Sequence, residues 1–369
     1  MEIVACARHP VRSGPPGERE GASRMSISED FARQADPYRR ELLAHCYRML
    51  GSVHEAEDLV QETLLRAWRA YDRFDEQRAS LRTWLHRIAT NACLTALDKQ
   101  TRRPLPSGIG APGGDPEQPL VPGHEVPWLQ PFPDAMLRTD PNDPATVLAS
   151  RGSMRLAFVA AMQLLPPRQR AVLILRDVLD WPAAEVAEAL DTTPAAVNSA
   201  LQRARARLAE AAVGEDEVDE PTDRRDRALV DRYVTAFENA DLAALERLLT
   251  ADVILEMPPY LNWYAGRSDY VRFIARCFAL RGAGWRMIPT GANGQPAVAA
   301  YVPGEDGDHH LHTLQVFTVT GSGIVRTTVF QDSEVFAVFR LPATLDAAGF
   351  PPRALKRMAQ DAGKGTSDF

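Results

Sequence analysis

Residues 161–210 read AMQLLPPRQRAVLILRDVLDWPAAEVAEALDTTPAAVNSALQRARARLAE, and the reading of this stretch decides the fold. Apolar residues recur at three-to-four spacing, and Pro166-Pro167, Trp181-Pro182 and Thr192-Thr193-Pro194 divide them into short helices. The last two have the length and separation of a helix-turn-helix. Ala184, Val186, Ala187 and Leu190 form the expected buried side of the first. Pro194 suits the first turn of the second, with Thr192 or Thr193 as its N-cap. That helix presents Ala195, Asn198 and Ser199 at its N-terminal end, Gln202 and Arg203 one turn later, and Arg205 and Arg207 beyond. Amide and hydroxyl groups there suit base edges, and guanidinium groups suit phosphates. A three-helix structural bundle with a solvated basic helix is the competing reading of this segment.

Working outward, 369 residues exceed one small domain, and two or three are expected. A formal net charge of -7 argues against coating nucleic acid by bulk charge. Any contact with DNA must then come from local patches, while the acidic remainder suppresses stray binding. Cys6, Cys46, Cys93 and Cys277 form no CxxC pair, and Cys46 and Cys93 fall in amphipathic helices as small core residues. This suits a reducing cytoplasm, the expected location. No run of eighteen apolar residues occurs, so no membrane span is expected. Residues 1–35 carry Arg8, Arg12, Arg19 and Arg24 without an apolar core and read as a disordered leader.

The first helical block spans 36–103. PYRRELLAHCYRMLG puts Leu42, Leu43, Cys46, Tyr47, Met49 and Leu50 on a broad apolar face and stops at Gly51. Ser52 opens the next helix, with Ala56, Leu59, Val60, Thr63, Leu64, Ala67 and Trp68 at helical spacing, and Ser80 caps a third. Between 104 and 143 prolines accumulate, which excludes a packed domain and reads as a linker. Within it VPWLQPFPD carries Trp128, Leu129 and Phe132, bulky apolar groups that need a place to dock; a local cluster and docking on a partner both remain open. The helix-turn-helix block covers 144–212, and 213–226 is an acidic joint.

From 227 to 340 the period changes. Two amphipathic helices joined at Asn239-Ala240-Asp241 precede VILEM, AVAAYVP, LHTLQVFTVTGSGIVRTTVF and VFAVF, which read as strands. The expected fold class is therefore multidomain: two all-α units, the second with a helix-turn-helix, and an α+β unit with a curved antiparallel sheet. Residues 341–369 form a Pro-, Ala- and Gly-rich tail with one short helix at PRALKRMAQDA.

AEDLVQETLLRAWRAYDRF, SLRTWLHRIATNACLTALDK, LPPRQRAVLILRDVLDWPAAEVAEAL and TPAAVNSALQRARARL occur in this order and at this spacing. Together they resemble the two conserved domains of a bacterial extracytoplasmic-function sigma factor. The third block resembles the SnoaL-like branch of the nuclear-transport-factor-like cone fold. The resemblance covers roughly residues 36–340. It implies promoter recognition and transcription initiation, with core RNA polymerase (its β′ and β subunits) and promoter DNA as partners. It also implies a monomer when free, and the existence of an anti-sigma partner is left open. The second helix would dock on the polymerase β′ coiled coil through Asp58, Gln61, Glu62 and Leu65, which share one face at i, i+3, i+4 and i+7. Arg82, Arg87 and Asn91, with Tyr71 and Phe74, would melt and read the -10 region. Ala195, Asn198, Ser199, Gln202, Arg203 and Arg205 would read the -35 element. Polymerase holds the catalytic metal in this scheme, so the chain is expected to be no enzyme and to carry no cofactor.

A cone encloses a pocket, and Glu256, Met257, Tyr260, Trp263, Tyr264 and Arg267 are its candidate lining. Packing for a closed pocket, a regulatory interface and an isomerase-like enzyme with Glu256 as base are the three readings. His309, His310 and His312 lie beside a turn on a strand that cannot direct all three inward, so they read as solvated and not as a metal site. The rival functions are an ordinary DNA-binding regulator and a small-molecule isomerase-like enzyme using this pocket.

Overall fold

A computed structural model describes residues 30–99, 102–137, 153–210 and 223–346. The first block consists of α1 (Arg39–Leu50), α2 (Val53–Ala70) and α3 (Leu81–Leu97). α1 stops because Gly51 turns to φ 71°, its N–H donating to Tyr47 O at 2.7 Å. Glycine is needed there twice over, since a Cβ would sit 2.7 Å from Leu129 Cδ1. Ser52 and Ser80 cap α2 and α3 by accepting from the N–H groups of Glu55 and Thr83. Leu42, Cys46, Met49 and Leu50 are buried with Val60, Leu85, Ala89 and Cys93. The bundle begins earlier than the sequence boundary at 36. Residues 30–35 are helical, and Phe31 is buried with its ring 5.1 Å from that of Tyr71.

The second block comprises α4 (Leu156–Met162), α5 (Pro167–Leu173), a π-helical continuation at Ile174–Val178, α6 (Ala183–Ala189) and α7 (Pro194–Glu210). Thr193 is the cap of α7, accepting from the Ala196 N–H at 3.2 Å. Val186, Ala187 and Leu190 are buried as expected, but Ala184 is exposed. The inner face of α6 runs through 183, 186, 187 and 190, the i, i+3, i+4, i+7 set, so Ala183 takes the inward place.

The third domain contains α8 (Asp223–Glu238), α9 (Leu242–Leu248), α10 (Arg267–Arg281) and α11 (Ser333–Val338). Its strands are β1 (Leu249–Glu256), β2 (Trp263–Ala265), β3 (Arg286–Ala292), β4 (Gln295–Pro303), β5 (His309–Thr320), β6 (Gly323–Phe330) and β7 (Thr344–Leu345). The sheet order is β2-β1-β6-β5-β4-β3, with β7 on β5. The sheet is mixed, not purely antiparallel, because β1 and β6 pair in parallel. Only a long connection allows such a pair, and four strands and a helix separate these two in the chain. VFAVF is helical rather than extended: Asp332 accepts from the Glu334 N–H and opens α11. A five-residue apolar run does not by itself distinguish helix from strand. The helix expected at PRALKRMAQDA and the acidic residues of the joint before 223 lie outside the described residues.

β4 carries the continuous apolar run AVAAYV, as expected where both faces of the sheet are covered. Val298, Ala300, Phe317 and Val319 pack inward beneath the helices with Tyr233, Phe273 and Trp285. Ala292, Ala297, Leu314, Val316 and Phe330 face the other way and share one core with both helical blocks. The third domain is thus not an appendage; its outer sheet face completes the core of the first two.

The proline-rich segment is the strap between them. Apart from one short turn at Pro106–Gly108 and the turn Asp134–Leu137 it has no regular structure, yet Leu105, Leu129 and Phe132 are buried. It bonds alternately to the two sides. Gln130 donates its N–H to Gly51 O at 3.0 Å and accepts from the Tyr47 hydroxyl at 2.7 Å. Gly113 and Gly123 donate to Trp263 O and Pro259 O, and the Ser107 hydroxyl donates to Glu256 at 2.7 Å.

At its end the strap meets a fully buried Asn293, in the Asn293-Gly294 turn between β3 and β4. Asn293 takes φ 58°, as this tight hairpin requires. Its Nδ2 donates to the Tyr47 hydroxyl at 2.9 Å and to Met154 O at 2.7 Å, and its Oδ1 accepts from the Phe132 N–H at 2.8 Å. One side chain therefore joins the first block, the strap and the entry to the second block. Gln295 adds to this by accepting the otherwise orphaned Leu156 N–H at the start of α4.

Candidate polymerase and nucleic-acid interface

On α2, Asp58, Gln61 and Leu65 are exposed and Glu62 is half-buried, held to Arg66 at 2.7 Å. Trp68, at helical spacing with the apolar residues of α2, stands 45% exposed, one turn from Leu65 at 39%. Val60, Thr63 and Ala67 fill the interior, so the indole is left on the rim. An exposed Leu–Trp pair thus stands beside carboxylates and an amide, a surface of mixed polarity.

The expected -10 residues divide into two groups. Tyr71 and Phe74, with the neighbouring Trp84, form a run of half-buried rings, with centroids 6.1 Å apart for Tyr71–Phe74 and 4.9 Å for Phe74–Trp84. Arg82 is committed to Glu41, with Nε 2.8 Å from Oε1. Asn91 is exposed, and Arg87 reaches across to Glu188 of α6 at 3.4 Å. The second block thus lies against the face that would read DNA. His86 and Trp181 also meet edge to face at 6.1 Å. Beneath them Arg170 of α5 is buried and donates to Met49 O of α1, to Gln163 Oε1 and to the carbonyls of Gln163 and Leu165.

α7 buries Val197, Leu201 and Ala204 and exposes Ala195, Asn198, Ser199, Gln202, Arg203 and Arg205. All six expected -35 residues are therefore at the surface. Arg205 is held by Asp177 in a two-pronged pair at 3.0 and 2.7 Å. This orients the guanidinium and also competes with any phosphate for it.

The cavity of the third domain is lined differently from expectation. Of the six expected residues only Met257 and Tyr260 line it. Glu256 is fully buried on the strap side, where Ser107, Arg326 and Thr328 donate to it at 2.7, 2.7 and 3.1 Å. Trp263 donates to Gly110 O, and Tyr264 packs on Phe273 at 5.4 Å. Arg267 likewise lies outside the lining. Tyr233, Phe237, Trp285, His312, Gln315 and Gln331 line the cavity instead.

The three histidines separate. His309 is buried against Gly284 O, His310 is exposed and pairs with Asp306, and His312 enters the cavity. A bulge explains the last, since the register steps from Ala300↔Thr313 to Tyr301↔Leu311 and leaves His312 as the extra residue. No group of His, Cys, Asp and Glu suited to a metal occurs among the described residues.

Burial brings the pKa of His312 down to about 4, with Arg281 adding to the effect. Burial also lowers His45 and His86 below the ordinary histidine value. Each folded-state value lies below its unfolded one, so the unfolded chain binds more protons in between. Stability is then complete above about pH 6.5 and is lost as pH falls toward 4. Thermal unfolding midpoints should fall from pH 7.5 to pH 5, and His312→Gln should flatten part of that fall. A midpoint unchanged over this range would contradict the assignment of neutral buried imidazoles.

Residues 35–103 match sigma-70 region 2, residues 155–208 match sigma-70 region 4, and residues 230–328 match the SnoaL-like domain. The chain is 50% identical to the ECF RNA polymerase sigma factor SigG of Mycobacterium tuberculosis, over 90% of this chain and 87% of that one. It is 28% identical to SigJ of the same organism over 92% and 98% of the two chains. The crystal structure of M. tuberculosis SigJ superposes with a TM-score of 0.57 at 24% identity, covering 85% of this chain and 98% of that one. It shares the fold. No helix among the described residues is long and apolar enough to cross a membrane. With regions 2 and 4 in order and a SnoaL-like domain behind them, the chain belongs to the ECF sigma factors of RNA polymerase, the subunits that recognise promoters and support initiation of transcription.

Proposed function

We propose that this sigma factor works in the cytoplasm and docks on core polymerase through α2. In that complex it reads the -35 element with α7 and opens the -10 element with α3 and the preceding loop. Core polymerase, through its β′ and β subunits, does the chemistry, and this chain supplies sequence choice. The third domain and the strap keep the free protein closed. The observation that carries this reading is the Arg87–Glu188 contact, 3.4 Å between a -10 residue and the helix-turn-helix. The two promoter elements lie about 25 base pairs apart, roughly 85 Å along B-DNA. Region 2 and region 4 in contact cannot span that distance, so promoter engagement requires them to part. The arrangement of Glu256 works against the isomerase reading. Its carboxylate is buried among Ser107, Arg326 and Thr328 and does not line the cavity of the third domain.

The test compares the full chain with one ending at Ala212 in core binding and run-off transcription. Stronger binding and higher transcription from the shorter chain are expected. Intact core binding with lost transcription would instead assign the third domain a positive role, and no core binding by either chain would overturn the whole reading.

Base readout gives a separate expectation. Asn198→Ala should relax preference at one or two positions of the -35 element by about 1–3 kcal/mol. Arg205→Ala should weaken binding evenly and lower its salt slope by about one. Asp177→Ala, which frees Arg205, should strengthen binding without changing preference. Holoenzyme competition across single-base promoter variants measures all three; affinity changes without any change of preference for Asn198→Ala would mean that α7 is not the reading helix.

A further inference from the structure

We propose that the outer edge of β2 is a strand-addition site for an extended acidic segment of a partner protein, with the strap as its resident and exchangeable occupant. That displacing the strap would loosen the closed protein rests on the reading given above; the binding itself does not. β2 ends the sheet, and no strand lies beyond it among the described residues. Such an edge offers backbone donors and acceptors to any extended chain. Residues 110–123 of the strap use them, running antiparallel to 259–263. Gly113 donates its N–H to Trp263 O at 2.7 Å, Leu261 donates to Val121 O at 2.9 Å, and Gly123 donates to Pro259 O at 2.8 Å. Pro122 and Tyr260 form an antiparallel bridge. Two side chains of the edge also hold strap backbone. Asn262 Oδ1 accepts from the Val121 N–H at 2.6 Å, and the Trp263 indole donates to Gly110 O at 2.9 Å.

Backbone pairing attaches without sequence preference, and the surroundings supply the preference. Between the two paired pieces the strap turns over α10, where Gln118 donates its N–H to Asp115 O at 3.2 Å. There Arg272 meets Asp115 at 2.9 Å and Glu117 at 3.6 Å. Arg276 donates to the carbonyls of Pro116 and Gln118 at 2.9 and 2.6 Å. Pro116 is buried, and Leu120 packs on the core of the third domain. The approach is close: a Cβ on Gly113 would lie 3.0 Å from the Tyr264 ring, and one on Gly123 would lie 2.9 Å from Leu261 Cδ2. An occupant therefore needs glycine at these two places, an acid facing Arg272 and an apolar side chain at the place of Leu120.

The strap is suited both to bind this edge and to leave it. Pro116 presets the turn, and Pro112, Pro119 and Pro122 favour extended chain, which lowers the entropy lost on docking. Residues 109–133 contain no helix or strand. The bulky anchors Leu129 and Phe132 belong to the core shared with the helical blocks, whereas Leu120 packs on the other core. Residues 110–123 can thus leave β2 without undoing those anchors, and a segment of the same chemistry can take their place.

The probe is a fluorescent synthetic peptide with the sequence of residues 109–124. The receptor is the full chain carrying Gly113→Val and Gly123→Val, whose own strap no longer fits the edge. The peptide is expected to bind it saturably, and a peptide with valine at those two positions about tenfold more weakly. A scrambled peptide should not bind. Arg272→Glu in the receptor should weaken the native peptide about threefold, and a peptide with arginine in place of Asp115 and Glu117 should recover that loss. In the native chain the tethered strap competes at an effective concentration on the order of millimolar. Binding there should need millimolar peptide, and the amides of Gly113, Val121 and Gly123 should then exchange faster. If the doubly substituted chain does not fold, Asp115→Lys with Leu120→Ala empties the edge through strap side chains alone. No binding to either emptied chain, or equal binding of native and scrambled peptides, would overturn the proposal. Dimerisation of the native chain through this edge without peptide would overturn it too, by assigning the site to a second copy. None of these readouts involves transcription, so the closed-state reading keeps its own test.

Discussion

A chain with Phe132 replaced by alanine is expected to open. Phe132 is fully buried, its ring is 4.8 Å from that of Tyr47, and its backbone exchanges hydrogen bonds with Asn293. Removing a buried phenylalanine side chain costs about 3–5 kcal/mol. The strap has little regular structure of its own to lose, so this cost falls on docking. The ratio of docked to undocked strap should drop by roughly a hundredfold or more. Small-angle scattering should show a larger radius of gyration, and core polymerase should bind more tightly than to the native chain. An unchanged radius together with unchanged core affinity would show that the strap is not the lock.

The second large effect is expected at Arg170. Burial lowers its pKa to about 10, so it remains charged at neutral pH, and three carbonyl oxygens and one amide oxygen accept from it. Arg170→Met preserves much of the volume and strands those acceptors, at about 1–3 kcal/mol for each one that water cannot reach. Two consequences follow, because the acceptors lie on both sides of the contact. Met49 O belongs to region 2, so the two regions should separate. The Gln163 and Leu165 carbonyls belong to the turn after α4, so region 4 itself should loosen. Hydrogen exchange resolved along the chain should show faster exchange over 156–178 than in the Phe132→Ala chain, in which region 4 stays intact. Equal exchange in the two variants would assign Arg170 to the contact alone.

The helices were legible because their ends are chemically marked: Gly51, Ser52, Ser80, Thr193 and Asp241 all act as the sequence suggests. The exposed face of α7 was legible for the same reason, once Pro194 set its phase. The cavity was not. Its lining comes from α8, α10, β5 and β6, distant in sequence, and the bulge at His312 breaks the two-residue alternation that would have placed that ring. Glu256 follows a strand pattern that places it on one face or the other, and only the docked strap shows which. The junction was written in the sequence as the Asn293-Gly294 dipeptide, a strong hairpin signal. It was masked by Pro289 and Gly291 in the strand before it, which lower strand propensity. Nor could spacing show that the bulky groups of the strap dock on this chain's own domains, since Asn293, which binds the Phe132 backbone, lies 161 residues away.

The hydrogen bond between Tyr47 and Asn293 joins residues 246 positions apart. A ribosome adding about 5–20 residues per second needs on the order of ten seconds or more to pass from one to the other. Regions 2 and 4 emerge before the hairpin that clasps them, so under the proposed closed arrangement each newly made molecule has an interval in which its promoter-reading surfaces are not yet enclosed. In that reading the age of the molecule, and not only its amount, would set how much of it is free to meet polymerase.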